Sequence, residues 1–461
     1  MLMKKLTLIL VGASALALAA CSKTADNPVE VPESAQAGEV VSFGAYLNRN
    51  VTKGGLAGKL TTSELQTEGF GVFGYFTDGE LYSDSAKPNF MYNEQVTYGG
   101  SAWTYSPAKY WPNEFGVDAV SDDVDHLTFF AYAPWVDVDA ATGTLTDAYD
   151  DSTPSLSSAT GIIGLSRATS SGDPLVKYAA SMNPDYGVDL CWGVSKEAFT
   201  DAVTTHVSNN VALGSPYIDV AKPSAGDNGK INFDFKHALS QLNVQIDTDV
   251  DVVSHNSGEL DGETRIYVRS ITFEGFAVKG ALNLNANATD GPAWMDIAGS
   301  DRLSSAAVTV FDGRRDGKEG VESAVDTNEK PLGLNPKLIQ SQPYSASPTS
   351  GVQHTAVNLF ESDQADAPIY VIPNGETLKL TIVYDVETQD SKLYTLLSDG
   401  VTPGSSVENT ITKTIPNFKM EAGYRYNIAL HVGMTSVKFS ANVANWDDAG
   451  NEDVNVPVNA D

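Results

Sequence analysis

Two cysteines are the residues of this chain best suited to covalent chemistry, and the first lies in a processing signal. Lys4 and Lys5 precede an apolar run over residues 6–18 that is too short to span a bilayer, and small residues lead from it to Cys21. This order predicts a lipoprotein signal peptide, residues 1–20, cleaved before Cys21, whose thiol is then acylated. The alternative is an ordinary secreted protein in which the cysteine follows by chance.

The second cysteine, Cys191, has no partner for an intramolecular disulfide once Cys21 carries lipid. Within DLCWG it is expected to be a small buried residue rather than a nucleophile. His237 offers a ligand or a base, but no cysteine or carboxylate stands at motif spacing from it, so a structural role is favoured. The sequence contains no HExxH pair, no GxSxG elbow and no glycine-rich phosphate loop with its lysine.

Acidic residues dominate the charged positions, with 59 Asp and Glu against 29 Lys and Arg. Loss of residues 1–20 removes two lysines and no acids, so the formal charge changes from −30 to −32. Nucleic acid and anionic membrane surfaces are poor partners for such a charge. The loop around Asp139 lacks the third oxygen ligand of a calcium site, so no metal is expected. Two carboxylates brought together in space, as in a glycosidase, remain the enzymatic alternative.

Strand-like alternation dominates the chain. Apolar side chains share one face in LKLTIVYDV, residues 378–386, and again in YRYNIALHV, residues 424–432. Helical periodicity is scarce, and clusters of glycine, proline, serine and asparagine separate the runs. The sequence therefore predicts an all-β protein of sandwich-like domains.

Residues 221–230, AKPSAGDNGK, form the best break in the middle of the chain. With this boundary the chain divides into the signal peptide, a propeptide-like segment with a first strand over 21–49, one domain over 50–225 and a second over 226–461. In the run that follows the break, Ile231 and Phe233 have the opposite parity from Leu242 and Val244. A bulge or kink near His237 to Gln241 is predicted, because both halves would then keep an apolar face inward.

Two further segments invite a functional interpretation. Residues 312–366 are polar, with few apolar runs, and are predicted to be a long exposed loop of the kind that often binds ligands. Residues 103–112, WTYSPAKYWP, carry four aromatic rings and two prolines. Such rings either stack on sugars or pack in a core, and packing is favoured.

Several segments, taken in order, resemble the fimbrillin family, the Mfa-like and FimA-like subunits of type V pili. They are VVSFGAYLNR, GFGVFGYFTDG, WTYSPAKYWP, LTFFAYAPW, DLCWG, FDFKHALSQLNVQI, IYVIPNGETLKLTIVYDV and AGYRYNIALHVGMTSVKFSANVANW. The resemblance implies two transthyretin-like β-sandwich domains in tandem. It also implies a non-catalytic structural or adhesive role without a cofactor, on a surface fimbrium of the outer membrane. The competing interpretation is a monomeric surface lipoprotein that binds glycan or another ligand.

The resemblance also implies an assembly route by strand exchange between pilus subunits. Val41, Phe43, Ala45 and Leu47 share one face of a first strand, and Arg49 and Lys53 follow it. In similar subunits a trypsin-like protease cuts here and releases the strand with its lipid; Arg49 is the preferred cut and Lys53 the second. A neighbouring subunit then fills the apolar groove. The predicted donor is the C-terminal tail, where three valines alternate: Val454, Val456 and Val458.

Overall fold

A computed structural model describes the following parts of the chain: residues 40–47, 60–77, 80–111, 127–145, 160–182, 184–197, 211–220, 230–248, 264–296, 307–312, 337–339, 357–359, 368–373, 376–397, 403–433, 437–445 and 454–456. Within these ranges it has one α-helix, α1 (Thr62–Glu68), and 24 strands. The strands are β1 (Ser42–Leu47), β2 (Phe70–Phe76), β3 (Met91–Tyr98), β4 (Trp103–Thr104), β5 (Leu127–Ala133), β6 (Gly161–Leu165), β7 (Leu175–Ala179), β8 (Cys191–Ser195), β9 (Tyr217–Val220), β10 (Lys230–His237), β11 (Ser240–Thr248), β12 (Thr264–Glu274), β13 (Phe276–Ala277), β14 (Lys279–Asn283), β15 (Ala293–Met295), β16 (Val308–Asp312), β17 (Lys337–Ile339), β18 (Val357–Asn358), β19 (Ile369–Pro373), β20 (Thr377–Gln389), β21 (Gly404–Lys419), β22 (Tyr424–Val432), β23 (Val437–Asn445) and β24 (Val454–Val456). The described helix is too short and too polar to cross a bilayer.

The strands form four sheets, which confirms the predicted all-β fold. The first sheet has the order β1-β10-β8-β5-β2-β3-β4, with β9 beside β5, and a four-stranded sheet has the order β15-β14-β7-β6. The other two sheets have the orders β13-β19-β11-β22-β23-β24, with β18 beside β11, and β16-β12-β20-β21, with β17 beside β12. The helix begins with a capping box, in which Thr61 and Glu64 exchange side-chain and backbone hydrogen bonds.

The first sheet curls until its two ends meet. The segment after β4 returns to the first strand, where the Val41 amide donates to the Lys109 carbonyl at 2.9 Å. Val40 and Tyr110 form an antiparallel bridge beside this contact. The face inside the curl holds one core, whose members include Phe70 and Phe129.

A second core lies on the opposite face of the same sheet. There Phe73 and Phe130 pack with Tyr178 and Leu282, which belong to the four-stranded sheet. Strand β2 is buried at all seven positions, because both of its faces are covered. Its sequence, FGVFGYF, accordingly lacks polar residues.

The predicted kink between His237 and Gln241 is a change of sheet. Strand β10 ends at His237 in the first sheet, and β11 begins at Ser240 in another sheet. Phe233 packs in the core inside the curled sheet, whereas Val244 packs in a third core between the two remaining sheets. The two runs therefore have opposite parity because they face different cores, and the buried Ala238 and Leu239 lie at the crossing between the two sheets.

The proposed boundary near residue 225 lies between β9 and β10, and β10 pairs with β8 in the first sheet. Strand β14, later in the chain, pairs with β7 in the four-stranded sheet. The chain therefore crosses between the sheets more than once, and the tandem division into two domains stays a prediction. Most of the polar stretch 312–366 lies outside the described residues, but two described pieces of it are short strands, β17 and β18.

Candidate assembly site

Strand β1 is the edge strand of the first sheet and has a parallel partner, β10, far along the chain. The register runs from Ser42 opposite Lys230 to Leu47 opposite Phe235. Val41, Phe43 and Leu47 are buried in the core inside the curled sheet, and the half-buried Ala45 packs against it. The predicted apolar face of this strand is therefore confirmed.

Phe43 is the anchor of β1. Its ring centroid lies 5.7 Å from that of Phe129 and 6.0 Å from that of Phe233, with Phe70 at 6.5 Å and Tyr105 at 5.5 Å. Burial of one such ring contributes about 1.5–3 kcal/mol. We call the edge of β10 together with these four surrounding rings the β1 groove.

Residues 103–111 close the β1 groove on the side away from β10. The Tyr105 hydroxyl donates to the Val41 carbonyl at 2.8 Å, and the Lys109 amide donates to the Tyr105 oxygen at 3.2 Å. Trp111 is buried with 2% of its surface exposed and packs against Phe129, whereas Tyr110 is 47% exposed. This segment is therefore mainly a packed corner of the fold, as the sequence favoured.

Two side-chain interactions help to stabilise β1 in its position. Burial raises the pKa of Tyr105 to about 12, with the negative charge of Glu94 contributing, so the hydroxyl stays a hydrogen-bond donor at neutral pH. On the other side, the Lys196 ammonium lies 3.0 Å from the centroid of the Tyr46 ring. A cation over a tyrosine ring contributes about 0.5–1 kcal/mol when it is exposed.

The remaining residues of the predicted assembly route have less structural description. Cys21, Arg49 and Lys53 lie outside the described residues, as does Val458. Strand β24, which contains Val454 and Val456, pairs antiparallel with β23 of the same chain. The predicted donor segment is thus a strand at the edge of its own sheet.

The comparisons with known proteins agree with the resemblance seen in the sequence. Residues 219–446 match the family model described as fimbrillin-like. This part of the chain is a fimbrillin-like domain. It begins in β9 and ends just after β23, so it includes β10, the partner of β1.

The whole chain is similar over most of its length to a curated protein and to solved structures. It is 24% identical over 417 residues to the fimbrium subunit Fim1C of Phocaeicola vulgatus, covering 86% of each chain. A fimbrial protein from Bacteroides vulgatus is 19% identical, with 88% of this chain and 99% of that chain covered and a TM-score of 0.49. A putative cell adhesion protein from Parabacteroides distasonis is 8% identical, with 90% and 98% covered and a TM-score of 0.38.

Sequence reasoning missed one cluster of side chains. His237 has both a cysteine and a carboxylate beside it, Cys191 and Asp189, although neither stands at motif spacing. Cys191 is fully buried, as predicted. Cross-strand pairing of β8 with β10 brings the cluster together, and no local sequence signal reports that pairing.

Proposed function

We propose that this protein is a non-catalytic structural and adhesive subunit of a fimbrium, exported as a lipoprotein acylated at Cys21 and carried to the outer membrane. The position of β1 is the observation that carries the proposal. It is a short, apolar edge strand that precedes the predicted cut sites in the sequence, and it fills an aromatic groove. The fimbrillin-like domain and the name of the 24% identical relative support the same role.

Processing would open the β1 groove. A trypsin-like protease cuts at Arg49, or second at Lys53, and β1 then leaves with the lipid. Its departure uncovers the backbone amides and carbonyls along one edge of β10, together with the pocket of Phe43. An unpaired edge beside an exposed apolar groove favours pairing with a new strand.

The incoming strand would be the C-terminal tail of a neighbouring subunit. Among the described residues of its own chain, β24 pairs with β23 from Val454 to Val456, at the edge of a sheet. These pairs would have to break for the tail to leave. The partners in this scheme are other pilus subunits and the processing protease.

Immunoblots of surface material prepared without boiling test the scheme. The double variant Arg49→Ala, Lys53→Ala should leave lipidated, untrimmed monomer and remove the ladder of polymers. Lys59→Ala, a basic residue of the same stretch, is the matched control and should polymerise normally. Deletion of residues 452–461 should yield trimmed subunits that do not extend the chain.

Normal polymers from both the double variant and the deletion would contradict strand exchange. A single band from the wild-type protein under every condition would contradict polymerisation of this subunit. Cys21→Ala should abolish labelling with palmitate, and continued labelling of that variant would place the lipid on another residue.

A further inference from the structure

Three metal-ligating side chains converge in a buried cluster at the end of β10. Asp189, Cys191 and His237 expose 2%, 0% and 6% of their surface. The Cys191 Sγ lies 3.4 Å from the His237 Nδ1, and the Asp189 Oδ2 lies 2.9 Å from the same nitrogen. One ligand atom from each of the three residues lies within 4.8 Å of the other two.

The sheet itself sets this geometry. Cys191 is the first residue of β8 and His237 the last of β10, and the two are direct antiparallel partners. Directly opposed residues point to the same face of a sheet, with Cβ atoms about 4.5–5.5 Å apart. Asp189 stands two residues before Cys191, and its Oδ2 also accepts the Leu60 amide at 2.9 Å, which fixes the carboxylate.

The arrangement does not suit a nucleophilic relay of cysteine, histidine and aspartate. In such a relay the nucleophile and the carboxylate contact opposite nitrogens of the imidazole ring. Here both approach Nδ1, which holds one proton at most. Three donor groups of different chemistry that point at one buried spot are instead the usual surroundings of a cation.

We propose that Asp189, Cys191 and His237 bind a zinc ion. Zinc accepts sulfur, nitrogen and oxygen ligands at about 2.0–2.3 Å in a tetrahedron, which places ligand atoms about 3.5 Å from one another. The His237 Nδ1 lies 3.4 Å from the Cys191 Sγ and 2.9 Å from the Asp189 Oδ2, and the three ligand atoms all lie within 4.8 Å of one another, so small side-chain movements reach that value. The site departs from the sequence expectation of no metal, because its ligands are brought together by strand pairing.

Binding has a definite charge and proton balance. The Cys191 thiol releases its proton to solvent and binds as thiolate, and the imidazole of His237 binds through Nδ1 with its proton on Nε2. One thiolate and one carboxylate cancel the two positive charges of the ion. A neutral complex suits a site with so little exposure, because an unbalanced buried charge is costly.

A cavity borders the site at one of the three ligands. His237 lines a cavity of about 370 Å³, together with Lys236, Gly423 and Tyr424. This cavity lies where the end of β10 meets the chain before β22, and it offers room for a water molecule as fourth ligand. Because the Asp189 carboxylate accepts the Leu60 amide, the ion would also stabilise the position of Leu60, the first described residue after the predicted cut sites. The role is structural and does not depend on the proposed fimbrial assembly.

Cobalt and zinc titrations of the purified, metal-stripped protein test the site. One Co²⁺ per chain should bind and produce a thiolate-to-cobalt charge-transfer band in the near ultraviolet, and one equivalent of Zn²⁺ should abolish it. Cys191→Ser should lose the band, and His237→Gln should weaken zinc binding by more than about tenfold. The matched control is His431→Gln, a histidine on β22, which should bind like the wild type.

Thermal unfolding supplies a second readout that needs no variant. Zinc should raise the unfolding temperature of the wild-type protein, because the ion binds the folded state, and a chelator should reverse the rise. Circular dichroism checks that Cys191→Ser is folded. Absence of the charge-transfer band from folded wild-type protein, or equal zinc stabilisation of wild type and Cys191→Ser, would overturn the site.

Discussion

The Tyr105 hydroxyl donates a 2.8 Å hydrogen bond to the Val41 carbonyl and so ties the aromatic segment after β4 to the first strand. Tyr105→Phe keeps the ring beside Phe43 and removes this bond, together with the 3.2 Å hydrogen bonds of the same hydroxyl to the Lys109 amide and carbonyl. We expect the free energy of unfolding to fall by about 0.5–1.5 kcal/mol for each hydrogen bond lost, the usual net value of such a bond. Urea denaturation of the wild type and the variant measures this loss of stability.

Tyr110→Phe is the matched control for that variant, since Tyr110 is about half exposed in the same segment. It should leave stability unchanged. If the two variants lose stability equally, the bond from Tyr105 does not hold β1.

Trp111 is buried, whereas its neighbour Tyr110 is about half exposed. Truncation to alanine should therefore lower stability much more at Trp111 than at Tyr110. Trp111→Ala removes a buried indole that packs against Phe129 and should lower stability by about 3–5 kcal/mol. Tyr110→Ala should stay within about 0.5 kcal/mol of the wild type. Thermal and urea unfolding of both variants measure the difference, and a small effect at Trp111 would reject its role in the core.

Arg269 and Asp385 form a buried ion pair between β12 and β20. A bulge in β12 lies at Arg269, whose Nε and Nη2 both contact the Asp385 Oδ2. Asp385→Asn should cost about 3–5 kcal/mol, because it leaves the guanidinium charge buried without its counterion. The double variant Arg269→Met, Asp385→Leu should recover most of that loss in chemical denaturation, and equal losses in the single and double variants would contradict this account.

Stability should be lost at alkaline pH. Burial raises the pKa of Tyr92, Tyr105 and Tyr426 from 10.0 to about 12. Below pH 10 these groups are protonated in both states, so they impose no penalty. Between about pH 10 and 12 the unfolded chain ionises first, and unfolding is favoured increasingly.

Urea midpoints measured at intervals from pH 8 to about 12 follow this loss. The fall should begin near pH 10 and should be shallower in Tyr105→Phe, which lacks one of the titrating groups. A midpoint that is independent of pH across this range would contradict the three raised pKa values.

The sequence alone determined the local properties of this chain. Alternation in β20 and β22 predicted strands because side chains of an extended backbone point to opposite faces in turn. The same rule identified the apolar face of β1, with Phe43 at its centre, and the change of parity near His237. These properties depend on residues that are close together in the sequence, so they can be predicted without knowledge of the fold.

Only the tertiary structure decided which distant segments meet. It placed β1 beside β10, turned the change of parity into a crossing between sheets and paired β24 with β23 of the same chain. It also brought Cys191 into contact with His237, which lies 46 positions later in the sequence. It placed the Tyr105 hydroxyl within hydrogen-bond distance of the Val41 carbonyl. Partner strands are selected by the packing of whole apolar faces and by the pairing of backbone edges, and neither depends on residue spacing along the chain.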